Sequence, residues 1–287
     1  MRVRVFFSAD YAPAGIPSLA RLGVAAAEFE RQDLADIRAP APLDVDVLRG
    51  LHDEAYLQAF LRGREPLASS QGIAWSPAMR DATLAMLAGQ IEAARHALAH
   101  GVAMNLARGF HHAVYERGSG FCPINGLALV AHAMPDRRVF VVDCDEHGGN
   151  GTEEYAARLP NLFNASIFGT RFGCVGHARS WAFEVRVPRD GFAAYAAALK
   201  RIEQRLERER PDLVLYQAGA DCHVGDPKSR ACLSTRRMLE RDLRVFRMVR
   251  RLGLPIVVVV AGGYQRASAV ARLNAQTLRA ARHVLLR

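Results

Sequence analysis

Short runs built almost wholly from Val, Ile, Leu and Phe alternate along this chain with longer stretches whose apolar residues recur every three or four positions, and no other feature limits its possible folds so strongly. The runs are VRVFFS (3–8), VFVVDCD (139–145), LFNASIF (162–168), DLVLYQAG (212–219) and PIVVVVAGG (255–263). Strands that lack polar alternation are buried on both faces, the condition of strands inside a parallel sheet. Residues 78–100, 190–209, 236–252 and 267–286 carry helical spacing with charged residues between the apolar ones. The alternation predicts an α/β fold, a three-layer arrangement with a mostly parallel central sheet and helices on both faces. At 287 residues and 50% hydrophobic, the chain can bury a large core, and one domain over 1–287 is expected.

The formal net charge of +9 raises the question of nucleic acid. The arginines, however, are dispersed along helical stretches such as RIEQRLERER (201–210) and form no basic tract interleaved with aromatics, so direct nucleic-acid binding is not expected. Cys122, Cys144, Cys174, Cys222 and Cys232 are odd in number and show no C-x-x-C pairing, which indicates neither a disulfide framework nor a thiolate zinc site. No stretch approaches the roughly 20 apolar residues of a membrane span. The N-terminal MRVRVFFSADYAPAG has a short apolar run broken by Asp10, unlike a signal peptide, so a cytoplasmic protein is expected.

Ligands of an open parallel sheet bind beyond the carboxyl ends of its strands, where the connecting loops converge. Asp143, Asp145 and His147 end one run in VVDCDEHGGNGTEEY (141–155), Asp221 follows another in GADCHVGD, and Tyr264 follows a third. In extended geometry Asp145 and His147, two apart, leave from the same face. With Asp221 from a neighbouring strand end they make an Asp–His–Asp set with open positions, as a catalytic zinc requires; a polar strand-to-helix loop is the alternative. The GGNG segment could also cradle a phosphate, but it lacks the full glycine spacing and the P-loop lysine, and the nearby acids favour a cation. In ARGFHHAVYERGSGFCPING (107–126), His111 and His112 are either a hydrogen-bonded loop pair or, beside a metal-activated water, two imidazoles dividing the proton work.

GFHHA, GFCPIN, DCDEHGGNGTE, YQAGAD and AGGYQ occur in the order and approximate spacing of one family. The chain resembles the zinc-dependent histone deacetylases, which share the arginase/deacetylase fold. The similarity runs from LHDEAYLQAFL (51–61) to the final helix, with a looser match over the first fifty residues. Asn150 in place of an aspartate, and RDLRVFRMVR before PIVVVVAGGYQ, make it most similar to the class IV branch and bacterial histone deacetylase-like amidohydrolases.

The resemblance implies that Asp145, His147 and Asp221 hold Zn2+. It makes His112 the general base and His111 its electrostatic neighbour, oriented by Asn150 and Asp143 respectively, and gives Tyr264 a hydrogen bond to the substrate carbonyl. Backbone carbonyls of Asp143, Asp145, His147 and Ile167, with the Ser166 hydroxyl, would hold a structural K+. Phe121 and Phe172 would line an acyl-lysine tunnel, and Gly120 would contact the substrate amide. The implied activity is removal of acetyl or longer acyl groups from lysine side chains of a protein or peptide. Two alternatives stand beside it: a deacetylase of small amines such as acetylpolyamines, and a catalytically silent module that binds acylated ligands. Intact Tyr264 and His112 count against the silent module, and a binuclear manganese site of the arginase kind needs more ligands than these strand ends supply. Natural substrate, acyl chain length and oligomeric state are not legible in the sequence.

Overall fold

A computed structural model of the protein describes residues 1–286. Its strands are β1 (Val3–Phe6), β2 (Ala35–Arg38), β3 (Val102–Asn105), β4 (Val139–Asp143), β5 (Leu162–Phe168), β6 (Ser180–Glu184), β7 (Leu213–Gln217) and β8 (Ile256–Val259). They form a single sheet in the order β2-β1-β3-β8-β7-β4-β5-β6, with every pair parallel. The predicted α/β architecture is therefore the observed one.

Every residue of β3, β4, β5, β7 and β8 is buried, which is why β4, β5, β7 and β8 read as mostly apolar runs. The helices are α1 (Pro17–Arg31), α2 (Glu54–Arg62), α3 (Pro77–His100), α4 (Gly126–Ala133), α5 (Asn150–Arg158), α6 (Val187–Glu209), α7 (Thr235–Leu252) and α8 (Ala267–Leu285). One helical layer runs α1 on α8, α8 on α7 and α7 on α6; the other runs α3 on α4 and α4 on α5. Helix starts follow local chemistry. Ser76 and Ser234 accept hydrogen bonds from the first turns of α3 and α7, and Pro stands in the first turns of α1, α3 and α6.

Three strands escape the apolar-run rule. β2 and β6 are the two edges of the sheet, and β2 is only partly buried because solvent reaches its outer side. β3, with the sequence VAMN, is too short and too mixed to stand out. A second difference bears on the site: β4 ends at Asp143, so Asp145 and His147 are not in a continuing strand. They reach one side because the chain bends there, the His147 N–H donating back to Asp145 Oδ1 at 3.0 Å. This side-chain-to-backbone turn replaces the alternation expected of extended geometry.

Candidate active site

The functional side chains gather at the carboxyl ends of β3, β8, β7 and β4, four neighbours at the middle of the sheet. Backbone hydrogen bonds continue the ladder past the strands: Cys144 N–H to Gln217 O at 2.9 Å, Ala218 N–H to Val259 O at 2.8 Å and Ala220 N–H to Gly262 O at 2.8 Å. The loops carrying Asp145, Asp221 and Tyr264 are thus extensions of a rigid sheet, which fixes their mutual distances.

Asp145, His147 and Asp221 come together with their ligand atoms within 4.8 Å of one another. His147 Nδ1 lies 3.3 Å from Asp145 Oδ1 and 3.4 Å from Asp221 Oδ2. Asp145 Oδ2 accepts the Gly262 N–H at 2.9 Å, and Asp221 Oδ1 accepts the Glu146 N–H at 3.1 Å. Asp221 Oδ2, fully buried, receives no hydrogen bond among the described residues. A buried carboxylate oxygen left without a donor is costly, and a cation satisfies it. Burial, then the charge of Asp145, pushes the Asp221 carboxyl up to about 7. Burial disfavours a charged His147, yet its contacts with Asp145 and Asp221 prevail and push it up to about 10. Two buried carboxylates on one imidazole therefore draw positive charge, and two oxygens with one nitrogen suit zinc with open positions. Glycine is needed around them: a Cβ at Gly262 would collide with Asp221 Oδ2, and one at Gly219 would lie 2.7 Å from Asp221 Oδ1.

The adjacent histidines are wired differently. His111 Nδ1 is 2.7 Å from Asp143 Oδ2, whereas His112 Nδ1 is 2.7 Å from Asn150 Oδ1. Burial opposes charge on both rings, but Asp143 reverses that for His111 and raises its pKa. For His112, burial and the neighbouring His111 lower the pKa well below the usual imidazole range. Environments that push two titratable groups apart separate acid from base roles. With the Asn150 oxygen accepting from Nδ1, His112 Nε2 is the basic nitrogen. Asn150 opens α5, whose first turn presses on the histidine loop; Thr152 N–H donates to His111 O at 3.0 Å, and a Cβ at Gly151 would lie 2.7 Å from that same oxygen.

Tyr264, His111, His112, Gly120, Asp145 and His147 line one narrow pocket of about 30 Å3, roughly the space of two waters. Burial, then Asp145 and Asp221, raises the Tyr264 pKa, so its hydroxyl stays a donor at neutral pH. At Gly120 a Cβ would stand 2.5 Å from His112 Cδ2, so a side chain there would push the imidazole aside. Phe172 stacks on His112 with ring centroids 4.0 Å apart and is 41% exposed, which places it at the outer rim. Phe121 adjoins the pocket between Gly120 and Cys122. Phe110, Phe121, Phe172 and Ala261 all have positive φ, so this region holds four of the seven non-glycine residues in that conformation, at about 1–3 kcal/mol of strain each. Ser166 and Ile167 lie on β5, where Ser166 is the register partner of Asp143 and accepts the Gly149 N–H at 3.2 Å.

Several residues here carry no sequence signal. Arg108 lines the pocket, 8% exposed, donates through one Nη to Ser18 O at 2.8 Å and leaves Nε without a partner among the described residues. Arg21 donates to Ala261 O at 3.3 Å, and Gln217 and Cys122 complete the lining. A motif search passes over such residues because each comes alone from a different element. A larger groove of about 620 Å3 between α6 and α7 is lined by aliphatic and mostly ion-paired side chains such as Leu199, Leu239, Glu203 and Arg251; the one three-residue metal-donor group among the described residues, Asp145, His147 and Asp221, lies outside it.

Residues 17–281 match the family described as the histone deacetylase domain. An uncharacterized protein of Picosynechococcus is 31% identical over 226 residues, covering 75% of this chain and 74% of its own. Histone deacetylase 2 of Arabidopsis thaliana is 31% identical over 63% of this chain and 49% of its own length. Acetylpolyamine amidohydrolase of Burkholderia pseudomallei is 30% identical over 54% of this chain and 48% of its own, so the match spans about half the length of these two named relatives. A crystal structure of acetylpolyamine aminohydrolase from Burkholderia pseudomallei superposes with a TM-score of 0.80 over 98% of this chain and 99% of that one, at 19% identity; the two share the fold.

Proposed function

The chain belongs to the histone deacetylase family, and on that footing we propose that it is a zinc-dependent amidohydrolase that removes acetyl or longer acyl groups from lysine side chains of a peptide or protein. The observation that carries this is the Asp145–His147–Asp221 cluster, its two carboxylates buried and Asp221 Oδ2 accepting no hydrogen bond among the described residues, beside two histidines whose proton affinities are driven apart. On this reading residues 1–287 form one catalytic domain, supported by a single sheet that recruits strands from Val3 to Val259.

Asp145, His147 and Asp221 would hold Zn2+, which when bound would supply Lewis acidity toward the acyl carbonyl and lower the pKa of water. His112 Nε2, held neutral, takes the proton of the attacking water and later returns it to the departing amine. His111, whose proton affinity Asp143 raises, holds positive potential beside the developing negative charge without taking part in the transfer. The Tyr264 hydroxyl donates to the oxyanion, a kind of contact whose loss costs about two to three orders of magnitude in rate. Gly120 lies within the pocket where a substrate amide passes, and Phe121 and Phe172 flank the way in. The unpaired Nε of Arg108 offers a cation to the carboxylate product. A K+ bound by the carbonyls of Asp143, Asp145, His147 and Ile167 with Ser166 would brace the loop beneath the cluster. No helix among the described residues is long and apolar enough to cross a membrane.

A second reading, deacetylation of acetylpolyamines, is favoured by the sequence likeness to the acetylpolyamine amidohydrolase of Burkholderia pseudomallei. Hydrolysis of lysine peptides bearing short to long acyl groups, alongside acetylspermidine, with and without chelator, tests both. Turnover of acyl-lysine that chelator abolishes and zinc restores is expected. Metal content is measured in parallel, with Asp221→Ala losing the metal. Acetylspermidine turnover alone selects the second reading, and no turnover by metal-replete protein removes both.

A further inference from the structure

Asp226 is a buried carboxylate, 5% exposed, with both oxygens committed to backbone: Oδ1 accepts the Lys228 N–H at 3.0 Å and Oδ2 accepts the Tyr264 N–H at 2.6 Å. One acid thus clips the turn carrying Lys228 to the loop carrying Tyr264. The Lys228 ammonium lies 4.8 Å from the centroid of the Tyr264 ring and 5.6 Å from that of Phe121. These are cation–π distances to two aromatics beside the pocket. Among the described residues, this ammonium makes no ion pair, whereas Lys200, Arg237, Arg244 and Arg251 on α6 and α7 all do. A lysine anchored at its backbone and resting on two rings keeps its charge at the rim.

The surrounding charge has the same sign. The Arg21 guanidinium lies 5.7 Å from the Tyr264 ring centroid, and Arg108 lines the pocket itself. The nearby acids are committed elsewhere, Asp145 and Asp221 to the metal cluster and Asp226 to the two backbone N–H groups. Lys228 stands over the Tyr264 ring, which lines the pocket, and over Phe121 beside it, so on the amidohydrolase reading the body of a substrate whose acyl group reaches the cluster lies near its charge.

Resting on the amidohydrolase reading, we propose that Lys228 is a specificity-determining residue that selects acyl-lysine bearing a negative charge next to the acylated side chain, such as a free C-terminal carboxylate, and turns away acylated polyamines, whose remaining ammonium groups would be brought against it. Attraction or repulsion of one unit charge at a partly solvated rim alters kcat/KM by about 3–10-fold, and reversing the protein charge by about 10–100-fold.

The test uses zinc-loaded protein with wild-type sequence, Lys228→Met and Lys228→Glu. kcat/KM is measured on two acetyl-lysine peptides that differ only in a C-terminal carboxylate or carboxamide, and on N-acetylputrescine. Wild type should favour the carboxylate, Lys228→Met should lose the preference, and Lys228→Glu should reverse it while gaining about tenfold on N-acetylputrescine. The effect should reside in KM and shrink as salt is raised. Equal substrate ratios in all three proteins overturn the proposal. If none of them turns over any substrate, the amidohydrolase reading has failed. Calorimetric binding of the same three compounds then reads the charge preference directly, and equal affinities across the variants overturn it.

Discussion

The Arg241 guanidinium, with no exposure to solvent, donates through Nη1 to the carbonyl oxygen of Gly219 at 2.8 Å. The same nitrogen lies 3.1 Å from the carbonyl of Cys144, so one cation fastens the chain just ahead of both Asp145 and Asp221. Its charge is balanced by Asp242 at 2.9 Å, which also accepts from the Tyr216 and Thr277 hydroxyls at 2.6 Å. Despite burial, Asp242 keeps this guanidinium firmly protonated.

Arg241→Met should destabilise the protein by about 3–5 kcal/mol, because it leaves Asp242 buried and uncompensated. Replacing both residues with apolar side chains should recover much of that loss, which urea denaturation can read. A shift below about 1 kcal/mol in the single variant would show that the pair does not hold the two loops.

Tyr264→Phe should fold and retain metal while losing about two to three orders of magnitude in kcat, since only a donor to developing negative charge is removed. The comparison is made at matched zinc content. A loss below about threefold would return Tyr264 to a packing role.

Asn150→Asp places an anion 2.7 Å from His112 Nδ1, where a neutral amide now stands. An adjacent negative charge favours the imidazolium and raises the pKa that burial and His111 now depress. A base of higher pKa is free only at higher pH, so the acidic limb of the kcat/KM profile should move upward by about one unit or more. An unmoved limb at constant metal content would remove either His112 as the base or Asn150 as its partner.

His52 makes stability itself depend on pH. It is buried, its Nε2 accepts the Asn125 N–H at 3.2 Å, and burial pushes its pKa down to about 4. The unfolded chain, near 6.5, takes up the proton first on acidification. Stability is therefore full above about pH 6.5, falls by roughly 3 kcal/mol as pH drops toward 4, and levels off below. Urea midpoints from pH 7.5 to 4 should show this slope in wild type and a shallower one in His52→Gln. Equal slopes would mean that His52 does not carry the dependence.

The candidate site residues were legible in the chain because they interrupt it. Asp143, Asp145 and His147, then Asp221, then Tyr264, each follow a valine-rich run, and polar groups at the ends of buried strands stand out against both neighbours. The central strands and the four long helices were legible for the same reason, since burial on one face or two imposes a periodicity that survives in one dimension. Arg241 was not. It is one of seven arginines in α7, and only the packing of α7 under the β4 and β7 loops turns it inward while Arg236, Arg237, Arg244 and others face solvent. Edge strand β2, with two acid–base residues in four, leaves no apolar signature because one side of it meets water. The clip that joins Asp226 to both Lys228 and Tyr264 spans 38 residues of chain, and the meeting of Asp145 with Asp221 requires β7 to lie beside β4. Sequence alone determined which groups stand at strand ends, because burial is written locally. Which ends become neighbours, and which surface charges lean over them, was decided by strand order and helix packing, interactions between distant segments that no local pattern records.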